Sequence, residues 1–250
     1  MNLSELFYSS GSLEGKRIMH ITKKNMTFFI TGASKGIGEY LCDYYTGQGH
    51  TVYGSFNTKN NHKVNHTQVD VKNRASVESW ITNRASHHES LVLINCAGIT
   101  YNAMGHSGDL DSWKDVIDTN LTGSYNACRA ILPFMRTKGF GRIINLSSIV
   151  AQKAIAGTSA YASSKSGLWG LTKSLATENA SKGITINCLN LGYFNIGMIE
   201  KVPDNILKGI VASIPMGRLG SPIEIVQSMD FLIANSYITG TSIDINGGLY

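Results

Sequence analysis

Tyr161 and Lys165 stand four residues apart and are the pair in this chain best suited to moving a proton. On a helix, positions i and i+4 lie one turn apart on the same face, which sets the phenol and the ammonium side by side. A free tyrosine, with a pKa of about 10, is a poor proton carrier at neutral pH. A fixed cation beside it favours the phenolate and brings it toward useful general acid–base work. Taken alone, Y-x-x-x-K recurs by chance, and a half-exposed pair on an amphipathic helix has the same spelling. The surroundings decide between the two.

The nearest support is a loop early in the chain. Residues 27–31 (TFFIT) are β-branched and aromatic and read as a buried strand. Gly32-Ala33-Ser34-Lys35-Gly36-Ile37-Gly38 follows, and then a helical pattern through Tyr40, Leu41 and Tyr44. A strand, a glycine-rich turn and a helix present backbone N–H groups and a helix N-terminus to a phosphate. The glycines let the backbone approach a pyrophosphate closely. No G-K-[ST] follows, so this is not a Walker A loop.

The second strand, 50–56, bears on which dinucleotide is held. NAD-selective sites place an acid at its end to hold the ribose 2′-OH. Here the end reads Ser55-Phe56-Asn57-Thr58-Lys59, without an acid. Lys35, Asn57, Thr58 and Lys59 could instead bind a 2′-phosphate. The expected cofactor is NADP(H), ahead of NAD(H).

Further strands are expected at 67–71 with Asp70 at its end, 91–95 running into Asn95-Cys96-Ala97-Gly98, 142–146 with Ser147 and Ser148 leaving it, 184–189 and 241–245. Helices are expected at 76–84 behind an Asn73 cap, as one long element over 111–135 containing Asn120, and at 159–178 and 222–233. Such alternation predicts an α/β fold: one doubly wound, Rossmann-type domain with a mostly parallel seven-stranded sheet and helices on both faces. Ligands then bind beyond the carboxyl ends of the strands. The loop at 32–38, Asn95, Gly98, Ser148 and Gly192 all follow strands and should share one crevice.

The boundaries are an N-terminal extension at 1–25 and a catalytic domain at 26–250, with a flap at 192–215. The extension lacks the pattern of a secretory signal. It is read as a solvated segment or an interaction arm, and Met26 could serve as an internal start. The 250 residues carry a net charge of +5, and 42% are hydrophobic. Mild basicity without a dense Lys/Arg block suits an anionic ligand and argues against nucleic acid. Four Cys in apolar stretches, without C-x-x-C, suit reduced thiols of a cytoplasmic protein, and no metal site is expected. No apolar run is long enough to span a membrane.

Assembled, these features resemble the short-chain dehydrogenase/reductases from about Thr27 to Tyr250. The resemblance rests on T-G-x-x-x-G-x-G (Thr31 to Gly38), Asp70-Val71, N-x-A-G (Asn95 to Gly98), Asn120, Ser148, Tyr161 with Lys165, Gly192 and Gly217-Arg218-Leu219-Gly220. It implies roles. Tyr161 would be the general acid for a carbonyl oxygen, and Ser148 would hydrogen-bond that oxygen. Lys165 would hold the nicotinamide ribose and lower the Tyr161 pKa. Asn120 would hold a water of a proton relay. Gly32, Ser34, Lys35, Gly36, Ile37, Gly38, Asn57, Thr58, Asp70, Val71, Asn95, Ala97, Gly98, Gly192 and Phe194 would contact the cofactor, with Asn95, Ala97 and Gly98 on the adenosine ribose side. Leu191 and Ile196 depart from the family's usual Pro and Thr; backbone groups or Asn195 are expected to compensate.

The implied activity is NADPH-dependent reduction of a ketone, closest in pattern to the 3-oxoacyl-carrier-protein reductases. A sugar or secondary-metabolite ketone is the alternative substrate, and a dinucleotide-binding regulator the alternative class. Arg136, Lys138 and Lys182 read either as solvated charge or as a patch for an acidic carrier protein. The family also implies a homo-oligomer, a dimer or tetramer.

Overall fold

The computed structural model describes residues 25–58, 63, 65–153 and 155–250. Residues 1–24 of the 1–25 extension, and Lys59, lie outside the described residues. Among the described residues there are seven strands: β1 (Thr27–Ile30), β2 (Thr51–Phe56), β3 (His66–Gln68), β4 (Leu91–Asn95), β5 (Gly141–Ser148), β6 (Ile184–Leu191) and β7 (Ser242–Ile245). They form one sheet in the order β3-β2-β1-β4-β5-β6-β7. Each pairing is parallel, so the sheet is wholly rather than mostly parallel.

The central strands are buried at nearly every position and largely apolar, because both of their faces are covered. Phe28, Ile30, Val92, Ile94, Ile144 and Leu146 point to one side. There they meet α1 (Gly36–Gly47) and α7 (Pro222–Ala234) through Leu41, Tyr45, Val226 and Met229. Phe29, Leu91, Leu93, Ile143 and Ile186 point to the other side. That side is covered by α2 (Arg74–Ala85), α4 (Gly123–Lys138) and α5 (Ser159–Asn179), through Trp80, Ile81, Ile131 and Leu175. The side chains alternate with the two-residue period of a strand. Asn73 caps α2 as expected, its side chain accepting from the Ser76 N–H at 3.0 Å.

Three local expectations are corrected. β3 ends at Gln68, because Asp70 turns the chain: its carboxylate accepts from the Lys72 N–H at 3.0 Å and its carbonyl from the Asn73 N–H at 2.9 Å. The long helix at 111–135 is three pieces: α3 (Leu110–Ile117), a π-helical turn (Asp118–Thr122) and α4. Ser147 and Ser148 do not leave β5; they pair with Asn190 and Leu191. Within the flap a short 3₁₀ turn (Gly197–Lys201) precedes a full helix, α6 (Asp204–Ser213). Among the described residues, no helix is long and apolar enough to cross a membrane.

The basic residues proposed as a carrier patch lie at the wrong end for this chain's own cleft. Arg136 and Lys138 end α4 just before β5, and Lys182 closes the 3₁₀ turn just before β6. They therefore sit at the amino ends of the strands. An eight-residue strand such as β5 spans roughly 23 Å from there to Ser148. Arg136 also already donates to Asn179 Oδ1 at 2.8 Å, and Lys138 to Glu89 at 2.6 Å.

Candidate active site

A cleft of about 260 Å³ opens at the carboxyl edge of the sheet. Its floor is Gly98, Ser148, Tyr161 and Lys165, its near wall Ile37, and its roof the flap residues Ile196, Met198 and Ile199. A second cavity of about 280 Å³ lies on the other side of Tyr193 and Phe194. Of its charged residues, Arg218 and Glu224 satisfy each other at 2.7 Å and Asp244 accepts from Asn190 Nδ2 at 2.7 Å; the lining includes none of Ser148, Tyr161 and Lys165.

The glycine-rich loop is shaped by what it must approach. Gly32 has φ +70, and a Cβ there would come within 2.8 Å of the Ala97 Cα. A Cβ on Gly38 would drive into the Gly32 carbonyl oxygen. Thr31 fastens this loop to the next one: its Oγ1 accepts from the N–H groups of Cys96 at 3.1 Å and Ala97 at 3.0 Å. Lys35 stands at the N-cap of α1 and makes no side-chain cap bond. The Lys35 side chain thus does not compete with an anion for the first N–H groups of the helix. An open helix N-terminus and a loop stripped of side chains together fit a pyrophosphate, so these residues suit a dinucleotide.

The remaining predicted contacts divide. Ser34 is buried beneath the loop, while Lys35, Asn57 and Thr58 are exposed at the mouth formed by α1 and β2. Asp70 and Val71 occupy the turn after β3. The Val71 carbonyl accepts from Asn126 at 2.9 Å, and its side chain lies under Gly123, where a Cβ would be 2.6 Å from Val71 Cγ2. Asn95 is a correction. Its side chain runs into the core, donating to Asn145 Oδ1 at 2.8 Å and to the Cys128 sulfur at 3.3 Å, so it braces β4 rather than lining a ribose. Gly192 lets the chain pass Asn246, whose Cα would lie 2.7 Å from a Cβ at that position. Phe194 is buried and bridges Gly220 at the root of the flap. Asn195 is exposed and outside the cleft lining, which leaves backbone groups to offset Ile196.

Ser148, Tyr161 and Lys165 line the same cleft. Ser148, at the end of β5, lies near enough to the Tyr161 hydroxyl to pull its pKa down. Lys165 lies one turn along α5 with its ammonium 5.6 Å from the centre of the Tyr161 ring. It is 5% exposed and donates to the Leu146 carbonyl at 2.7 Å. Burial is the larger force on both groups. It pushes the Tyr161 phenol up to about 12, against the nearby Ser148 hydroxyl, which pulls it down. It pulls Lys165 down to about 8, partly offset by the Cys96 and Cys188 thiols. The expected lowering of Tyr161 by Lys165 is thus absent: the ammonium is spent on Leu146, and desolvation wins.

Asn120 sits in the π-helical turn, which swings its side chain inward. Its Nδ2 donates to the Ile99 carbonyl at 2.9 Å and to Ser164 Oγ at 3.0 Å, and its Oδ1 accepts from the Ile99 N–H at 2.8 Å. Three hydrogen bonds thus fix that amide, and one lone pair of Oδ1 carries no bond among the described residues. Thr31, the Leu146 carbonyl and Ser164 were missed from the sequence. Thr31 heads the glycine motif, and Ser164, at position i+3 from Tyr161, falls on the same side of the helix; the Leu146 carbonyl had no signal.

The match to known proteins agrees with this geometry. A family model described as Enoyl-(Acyl carrier protein) reductase matches residues 32–250. A 3-oxoacyl-[acyl-carrier-protein] reductase of Salmonella typhimurium is 37% identical over 233 residues, 88% of this chain and 96% of that protein. An acetoacetyl-CoA reductase of Rhizobium meliloti is 38% identical over 88% of this chain and 97% of its own length. The solved aldohexose dehydrogenase of Thermoplasma acidophilum superposes with a TM-score of 0.83 at 28% identity, covering 90% of this chain and 94% of that one. The chain belongs to the short-chain dehydrogenase/reductase family and is an oxidoreductase of that family.

Proposed function

We propose that this protein uses NADPH to reduce the ketone of a 3-oxoacyl thioester to a secondary alcohol, with Tyr161 as proton donor. The observation that carries the reading is the placement of Ser148 and Tyr161 together at the cleft floor, with Lys165 one helical turn from Tyr161. Two adjacent hydroxyls can meet one substrate oxygen. Ser148 then stabilises the charge growing on it, and Tyr161 supplies its proton. A phenol held at about 12 keeps that proton until the oxygen takes it. Lys165, at about 8, stays cationic at neutral pH, where it can hold ribose hydroxyls and offset the charge left on Tyr161. When bound, the dinucleotide supplies the hydride.

The substrate class follows from the walls. Ile149, Val150, Met198, Ile199, Val202 and Ile210 line the cleft, and among the described residues Lys165 is its one charged residue. Apolar walls suit an acyl chain, whereas each sugar hydroxyl buried there without a partner would cost free energy. The printed names of the reductases from Salmonella and Rhizobium both specify 3-oxoacyl thioesters. NADPH oxidation with 3-oxoacyl thioesters, keto sugars and simple ketones tests the reading. Turnover confined to the thioesters supports it; binding without turnover on the whole panel would favour a regulator.

NADPH preference rests on the exposed Lys35, Asn57 and Thr58 and on the lack of a free acid beside them. Glu39 and Asp43, on the same helix as the loop, are paired with Lys63 at 3.3 and 2.5 Å. Lys35→Glu is expected to raise the NADPH KM by roughly 10–100-fold through loss of a charge-assisted contact. The NADH KM should stay close to that of the native enzyme. Steady-state kinetics with both dinucleotides check this.

A further inference from the structure

Ser164 lies between the two proton-transfer residues of α5 and is wholly buried at 0% exposure. Its hydroxyl donates to the Tyr161 carbonyl at 2.8 Å and accepts from Asn120 Nδ2 at 3.0 Å. The polarity of this chain of bonds has no alternative. The Ile99 N–H can only donate, so it faces Asn120 Oδ1; Nδ2 can only donate, so the single Ser164 proton must go to Tyr161. Hydrogen bonds therefore run unbroken from the loop after β4, through the π-helical turn, into the first turn of α5. The same junction is crowded. A Cβ on Gly98 would lie 3.3 Å from Asn120 Oδ1 and 3.6 Å from Lys165 Nζ.

We propose that Ser164 is a positioning residue, locking the Asn120 turn to α5 and so holding Tyr161 in register with Ser148. It touches no reacting atom. Its effect on rate rests on the ketone-reduction reading, because a small misplacement of the proton donor is costly only if Tyr161 donates. An alanine would also leave one proton of the buried Asn120 amide unpaired.

The test compares Ser164→Ala and Ser164→Thr in the full-length enzyme. Ser164→Ala should lower kcat by about 10²-fold, with the ketone KM and the NADPH dissociation constant unchanged. Ser164→Thr keeps the hydroxyl and should recover most of that loss. Unchanged kcat in Ser164→Ala overturns the proposal. So does a fall in kcat matched by weaker NADPH binding, which marks general damage. A second readout does not depend on turnover. The Asn120 side-chain amide protons, followed by NMR, should exchange slowly with solvent in the native enzyme and faster in Ser164→Ala. Equal exchange overturns the proposal. A native enzyme that reduces no ketone would instead refute the proposed function, and the exchange measurement would still decide the role of Ser164.

Discussion

Tyr161→Phe is expected to lower kcat for ketone reduction by roughly 10²–10⁴-fold, the usual worth of a positioned proton donor. NADPH binding should survive, because the substitution removes one oxygen and leaves the ring packed beside Lys165, whose ammonium is 5.6 Å from the ring centre. The Ser148 hydroxyl would keep its contact with the Val150 N–H at 3.4 Å and remain in place. Stopped-flow turnover and fluorescence titration with NADPH separate the two effects. Full turnover by this variant would remove Tyr161 from the mechanism. A loss of binding equal to the loss of rate would assign it to the cofactor instead.

Lys165→Met is expected to lose activity as severely and yet to be no less stable at neutral pH. The ammonium is buried, and its pKa falls from 10.5 unfolded to about 8 folded. A depressed base binds fewer protons in the folded state than in the unfolded state. Stability therefore rises as pH climbs from about 8 to 10.5, and below about 8 the penalty is complete. The shift corresponds to a cost of order 3 kcal/mol at neutral pH, against which stands the Leu146 carbonyl that loses its donor at 2.7 Å. Urea unfolding at pH 7 and pH 10 reads the balance: the variant should match or exceed the native enzyme at pH 7 and lose that advantage at pH 10. A variant much weaker at pH 7 would mean that the Leu146 bond outweighs desolvation. In the native enzyme, ketone reduction should also decline as pH passes about 8, where Lys165 loses its charge.

The residues whose meaning is local were readable in the sequence. The glycine pattern at 32–38, the Asn73 cap and the apolar runs of β1, β4 and β5 each state their own structure through turn chemistry, capping or period. Tyr161, Lys165 and Ser148 could be placed together because parallel strands deliver their carboxyl ends to one edge. The failures involve partners remote in sequence. The π-helical turn exists because Asn120 reaches Ile99, and nothing in a helical spacing announces that. Asn95 looked like a cleft residue until Asn145 and Cys128 supplied partners in the core. Arg136, Lys138 and Lys182 looked like a docking patch while their end of the sheet was unspecified. The direction of the Tyr161 shift was misjudged for a related reason: the charge pair is visible in the sequence, and the burial that outweighs it is not.

One competition assay addresses the central claim. The enzyme would be given NADPH with equimolar 3-oxoacyl and 2-enoyl thioesters of the same chain length, and the products identified by mass spectrometry. The pairing of Ser148 and Tyr161 on one oxygen predicts the 3-hydroxyacyl thioester, with the enoyl compound recovered intact. A saturated acyl thioester as the product, or NADPH left unconsumed, would contradict the account.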